Sequence, residues 1–170
     1  MIRTAIRGAV AALGVALAAL PLASQATTTT STFQVQITLV ASCAITSNNL
    51  NFGSGIGLLT SAVNGTTTLS VTCSNSTPYT LGLDGGTVAG STVASRLMAG
   101  TTTGNTGTTM QFQLYSDSGR ATLWGNSSGS WVSGTGNGNA QSLTVYGQVP
   151  AQTTPKPDTY QTTITATVTY

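Results

Sequence analysis

The stretch Phe33-Gln34-Val35-Gln36-Ile37-Thr38-Leu39 puts its four apolar side chains on one parity and its polar ones on the other. Successive strand residues point to opposite faces, so this alternation predicts an amphipathic β-strand. Ala41 and Cys43 keep the parity and Val40 breaks it, which predicts a bulge or a change of partner near residue 40. The same signal recurs down the chain. Leu69, Val71 and Cys73 share one face. Tyr79, Leu81 and Leu83 form the next strand, ended by Asp84-Gly85-Gly86. Met110, Phe112 and Leu114 follow, and a short strand is expected around Leu123-Trp124. Leu143, Val145 and Val149 make the penultimate long strand. The last reads Tyr160, Ile164, Ala166, Val168 and Tyr170 on one face, with threonines between. Asn64-Gly65 reads as a hairpin turn. Pro150, Pro155 and Pro157 fall in a connection, where no ladder donor is needed. After Ala26 no helical periodicity outlasts a turn or two. Many short strands separated by turn signals predict an all-β sandwich. No internal repeat and no dividing linker is visible.

The chain has 170 residues, a length that fits one domain. Its start reads differently from the rest. Arg3 and Arg7 form a positive region, an apolar run extends from Gly8 to Leu20, and Pro21 and Ser24-Gln25-Ala26 follow. This is the pattern of a secretory signal peptide, residues 1–26, with cleavage after Ala26. The apolar run is about 13 residues, short of the roughly 20 that a membrane-spanning helix requires. No second apolar run follows, so the mature chain is not expected to be an integral membrane protein.

The formal charge of +2 comes from the two signal arginines. Beyond Ala26, Arg96, Arg120 and Lys156 balance Asp84, Asp117 and Asp158. The mature chain is neutral and carries no basic footprint for nucleic acid. Thr, Ser, Gly and Asn dominate it, but recurring apolar alternation argues against disorder. About 144 residues suffice to bury a core.

The two cysteines, Cys43 and Cys73, both follow the signal. In an oxidising compartment an even count predicts a disulfide, worth roughly 3–4 kcal/mol in the chain-entropy description. Two thiolates without histidine make half a zinc site, so no metal is expected.

Catalytic chemistry is hard to place. The sequence has no His and no Glu, and each Asp lies in a turn or connection. Ser and Thr are abundant but lack the base that activates a nucleophile. The only lysine, Lys156, sits among prolines, and there is no phosphate-binding loop. The residues predict no enzyme, no cofactor and no small-molecule substrate. The sequons at Asn64, Asn75 and Asn126 are read as chance matches in a Thr/Ser-rich chain. Trp124 is expected in the core. Trp131, in the Gly-rich stretch 125–139, is also read as structural, with a sugar-binding platform formed by Trp124 and Trp131 as the alternative.

From Phe33 to Tyr170 the sequence resembles the spore coat protein U domain family, which is also the pilin family of archaic chaperone–usher pili. The resemblance rests on an ordered set of motifs: Cys43-Ala44-Ile45, Asn51-Phe52-Gly53, Val71-Thr72-Cys73, Arg96-Leu97-Met98, Gln113-Leu114-Tyr115-Ser116-Asp117, Leu123-Trp124-Gly125, Val145-Tyr146-Gly147-Gln148-Val149-Pro150 and Thr165 to Tyr170. Where the family commonly has Gly-x-Tyr before the last strand, this chain has Asp158-Thr159-Tyr160, a departure that bears on the turn leading into that strand.

The resemblance implies an immunoglobulin-like sandwich that lacks its final strand, with residues 27–41 as an N-terminal extension and 42–170 as the pilin domain. Such a fold leaves a groove and an unpaired sheet edge, filled by β-augmentation from another subunit. Phe33, Val35, Ile37 and Leu39 would form the donor strand, and Thr27 to Ser31 a flexible leader. Full burial of four such side chains is worth roughly 6–12 kcal/mol before ordering costs. The alternation alone fits equally an ordinary first strand of the chain's own sandwich. The implied partners are other pilin subunits, a periplasmic chaperone anchored at the Tyr170 carboxylate, and an outer-membrane usher. The implied place is the cell surface, reached through the periplasm, and the implied role is adhesion or biofilm formation. Alternatives are a spore or cell coat protein of the same fold and a secreted carbohydrate-binding module. An adhesin tip would need a further receptor-binding domain, for which the chain leaves no room.

Overall fold

The structure is a computed structural model and describes residues 25–170; most of the expected signal peptide lies outside the described residues. The chain divides into residues 1–37 and 38–170. In the first, residues 25–37 carry no helix or strand and are all exposed.

The second unit holds nine strands: β1 Cys43–Ser47, β2 Val63–Cys73, β3 Pro78–Leu83, β4 Arg96–Gly100, β5 Thr109–Tyr115, β6 Val132–Thr135, β7 Ala140–Val149, β8 Tyr160–Gln161 and β9 Ala166–Thr169. They form a six-stranded sheet in the order β1-β2-β7-β5-β4-β8 and a three-stranded sheet in the order β6-β3-β9. All pairings are antiparallel. Both sheets turn one face inward, as the alternation predicts. Leu69, Val71 and Cys73 of β2 and Phe112 and Leu114 of β5 are buried, as are Tyr79, Leu81 and Leu83 of β3. The fold is the all-β sandwich expected from the sequence. Cys43 and Cys73 face each other in the β1–β2 register and form a disulfide.

Several details differ from the sequence reading. The strand expected over residues 33–39 is absent, since residues 25–42 form no strand and find no ladder partner among the described residues, and β4 had no counterpart in the reading. Asn64-Gly65 is not a turn but lies inside β2. Gly65 faces Gly147 of β7, and the two glycines serve space, not curvature. A Cβ on Gly147 would sit 2.5 Å from Leu50 Cδ2 and 2.8 Å from Phe52 Cζ. The missing side chains make room for Leu50 and Phe52, whose ring meets Phe112 edge-on at 6.3 Å. Overpacking here is expected to cost about 1–3 kcal/mol, so Gly147→Ala should lower the urea midpoint with the denaturant slope unchanged. An unchanged midpoint would show that Leu50 and Phe52 move aside freely.

The last strand is two strands in different sheets. Between β8 and β9 the chain crosses the sandwich, fixed by Asp84: Thr165 N–H donates to its carboxylate at 2.9 Å, and Asp84 N–H donates to the Thr165 carbonyl at 3.1 Å. The Leu123-Trp124 strand is an isolated bridge from Leu123 to Tyr115, with Trp124 N–H donating to the Leu114 carbonyl. A strand missed in the Gly-rich stretch, β6, pairs with β3, and its Gly134 lies opposite Tyr79, whose ring occupies the space a Cβ would need.

A polar clamp crosses the core. Trp124 is 1% exposed and its indole N–H donates to the Leu81 carbonyl at 2.8 Å. Arg96 is fully buried. Its guanidinium donates to the carbonyls of Asp84, Leu83 and Trp124 at 2.9, 3.1 and 2.6 Å. Burial lowers its pKa to about 10 against the opposing pull of the Asp84 charge. Its Nη1 has no partner, a desolvation cost that the three carbonyl bonds offset.

Candidate functional site

β9 pairs only with β3 among the described residues, and β1 only with β2. These two edge strands, one from each sheet, come close together. Beside them a groove of about 1110 Å³ opens between the sheets. Its floor is apolar: Met98, Phe112, Leu114, Val145 and Val149 from the six-stranded sheet, with Leu83 opposite. On the β9 side it is bounded by Ile164 and Ala166, and on the β1 side by residues 47–57. A small-molecule pocket is typically about 300–1,000 Å³ with a few convergent polar groups. This groove is larger and floored by hydrocarbon. Residues 159–164 and Ala166 bring it to the start of β9, whose outer edge is unpaired among the described residues.

A few residues set the rims of this groove. The Asp84 bonds to Thr165 turn the chain out of β8 and into β9. Gly86, with φ +93°, takes a left-handed conformation beside the same crossing. On the other side, Leu50 and Phe52 dip into the core over the Gly65–Gly147 pair. Past them, Gly53 and Gly55 have φ of +105° and +74°, and Ile56 and Leu58 are exposed.

Asp158 borders the groove. Its carboxylate accepts from Asn105 Nδ2 at 2.7 Å, Thr102 Oγ1 at 2.8 Å and Thr102 N–H at 3.0 Å. Gly100 leaves the space, since a Cβ there would lie 2.7 Å from Asp158 Oδ2. The Asp158 carboxylate thus ties the 101–108 turn to the strand connection. These bonds, first from the Asn105 side chain and then from Thr102, hold its pKa well below the ordinary carboxylate value. A depressed folded-state pKa contributes stability that is present above the unfolded value, about 4, and is lost as pH falls toward the folded one. The difference in urea midpoint between the parent and Asp158→Asn should therefore be full at pH 6 and shrink below pH 4. A difference that stayed constant with pH would disprove this role.

The expected donor residues are all highly exposed: Phe33 87%, Val35 87%, Ile37 82% and Leu39 84%. Residues 38–42 carry no strand assignment and β1 starts at Cys43. Tyr170 follows β9 and is 58% exposed. Trp131 is 38% exposed and does not line the groove. The Arg96 clamp and the glycine pair were not legible as site-forming features. The Arg96-Leu97-Met98 and Asn51-Phe52-Gly53 motifs that mark them turn out to carry the core clamp and the groove rim.

No curated protein is significantly similar to the chain. Among solved structures it is similar to a chain in the crystal structure of the CsuC–CsuE chaperone–tip adhesion subunit pre-assembly complex from archaic chaperone–usher Csu pili of Acinetobacter baumannii. The TM-score is 0.55 and the identity 23%, over 78% of this chain and 40% of that one; this likeness concerns the fold. The Spore Coat Protein U domain matches residues 29–167, and the chain belongs to that family.

Proposed function

We propose that this chain is a structural subunit of a chaperone–usher surface fibre and that it polymerises by lending residues 33–39 to the groove of the next copy. One observation carries the reading: an apolar-floored groove reaches the start of β9, whose outer edge is unpaired among the described residues, in a chain that also holds a highly exposed, strand-patterned row of Phe33, Val35, Ile37 and Leu39. The row supplies side chains for the floor and backbone groups for the edge. In this reading the signal peptide ends at Ala26, residues 27–41 are the extension and 42–170 the domain. Until assembly a periplasmic chaperone covers the groove, with Tyr170 as its anchor, and an outer-membrane usher directs the exchange. The product stands on the cell surface, where it serves adhesion. Its role is structural, with no catalytic step.

Deleting Thr27 to Leu39 should leave a folded, chaperone-bound subunit that does not polymerise, scored by co-purification and electron microscopy. Fibres from the deleted chain would overturn donation through this segment. The family's description as a coat domain supports a second reading, in which the same lending of strands builds a sheath. Thin filaments or continuous layers in micrographs decide between them.

A further inference from the structure

The disulfide joins the first residue of β1 to the last residue of β2. Only Val40, Ala41 and Ser42 separate it from Leu39. On the other side, residues 74–77 separate Cys73 from β3, which begins at Pro78. β3 is the strand that pairs with β9, from Thr80 opposite Thr169 to Leu83 opposite Ala166. The covalent path from Leu39 to the sheet that carries the groove's open edge is therefore a few residues and one S–S bond. The junction is further braced: Ser42 N–H donates to Ser74 Oγ at 3.0 Å and Ser74 N–H to the Ser42 carbonyl at 2.9 Å.

Without the S–S bond the path is much longer. It passes through the five residues of β1 and then through residues 48–62, which form no strand. β1 is an edge strand, hydrogen-bonded among the described residues to β2 alone. Tension on Ser42 would load its ladder from one end, so bonds would fail in succession.

We propose that the Cys43–Cys73 disulfide is the mechanical coupler of the assembled fibre, passing tension from a subunit's lent strand directly into β3 and so to the strand held against β9. This rests on the donor reading above. The S–S bond closes residues 43–73 into a covalent ring, and the 29 residues inside that ring lie off the load path. β1 is then shielded from peeling, and the segment with Leu50 and Phe52 keeps the groove rim in place under load.

The test is to stretch single fibres by force spectroscopy in three states: oxidised, reduced after assembly with thiols counted, and assembled from Cys43→Ala/Cys73→Ala subunits. Reduction after assembly serves where the double variant fails to fold, and the variant serves where the bond resists reductant. Reduced or variant fibres should lengthen in steps of about 40 Å per subunit: some 20 residues from Cys43 to Val63 reach about 70 Å at about 3.5 Å each, and their ends already stand about 30 Å apart, the length of β2 between Cys73 and Val63. Oxidised fibres should show no such step before the strands separate. Fibres that stretch identically in all states overturn the coupler and leave the donor reading standing. Failure of the parent chain to form any fibre overturns both.

Discussion

Replacing Val35 and Ile37 together by Asp should abolish polymerisation while leaving the subunit as stable as the parent. Both side chains are more than 80% exposed, so the substitution removes no packing from the subunit and strands no partner. In a groove floored by Phe112, Leu114 and Val149 the same two positions would each forfeit roughly 1.5–3 kcal/mol of apolar burial. They would also bring a carboxylate apiece onto that apolar floor, at several kcal/mol each, which Lys156, a lining residue in the Pro-rich connection, offsets at most in part. A total near 10 kcal/mol is more than a million-fold in the assembly constant. The control is Gln34→Asp/Gln36→Asp, which adds the same charge on the opposite parity and should still assemble, with some loss from repulsion. Urea midpoints measure the subunit and sedimentation measures the fibre. Filaments from the Val35/Ile37 variant at parental yield would rule out this row as the inserted one.

The second large effect belongs to Trp124. Trp124→Ala should destabilise the domain by about 3–5 kcal/mol, a large share of the 5–15 kcal/mol typical of a domain. The side chain is almost wholly buried, and its loss also strands the Leu81 carbonyl that accepts the indole N–H at 2.8 Å. Slippage of the 123–126 segment would disturb the Arg96 clamp, because that guanidinium donates to the Trp124 carbonyl. Trp131→Ala is the comparison. That ring is 38% exposed, and its removal should cost no more than about 1 kcal/mol, in line with surface substitutions. Equilibrium urea unfolding of the two variants separates the cases; near-equal losses would mean the core does not depend on Trp124 as its burial implies.

Much of the fold was legible because period-two alternation records which face of a strand is dry. Leu69 to Cys73, Tyr79 to Leu83 and Phe112 to Leu114 all lie buried where their parity placed them. Where residue type serves something other than its local conformation, the reading failed. Gly65 looks like a turn residue beside Asn64, but it is small so that Leu50 and Phe52, over a dozen residues away, can cross it. Ile164, Ala166 and Val168 keep one parity through a change of sheet, because the crossing depends on bonds from Asp84 on a distant turn. β6 carries no apolar alternation and exists through its pairing with β3. Arg96 entered the sequence reading only as a charge and as part of a motif. Nothing local says that three carbonyls wait for it inside.

The proposed site is half legible in the sequence. The row from Phe33 to Leu39 can be read directly, but a groove is a property of which strands do not pair, and pairing is long-range. The disulfide followed from cysteine count and compartment alone, while its position beside β3 required the topology.

The exposed row and the free edge of β9 are different surfaces of one molecule, and that difference has a geometric consequence. A contact between unlike surfaces is not reciprocal: each copy gives at one place and receives at another. Such an interface has no twofold axis to close it and propagates as an open chain. Under the donor reading, every filament therefore has a direction. One end presents an empty groove and the other an ungiven strand, and the two ends differ in what can be added to them.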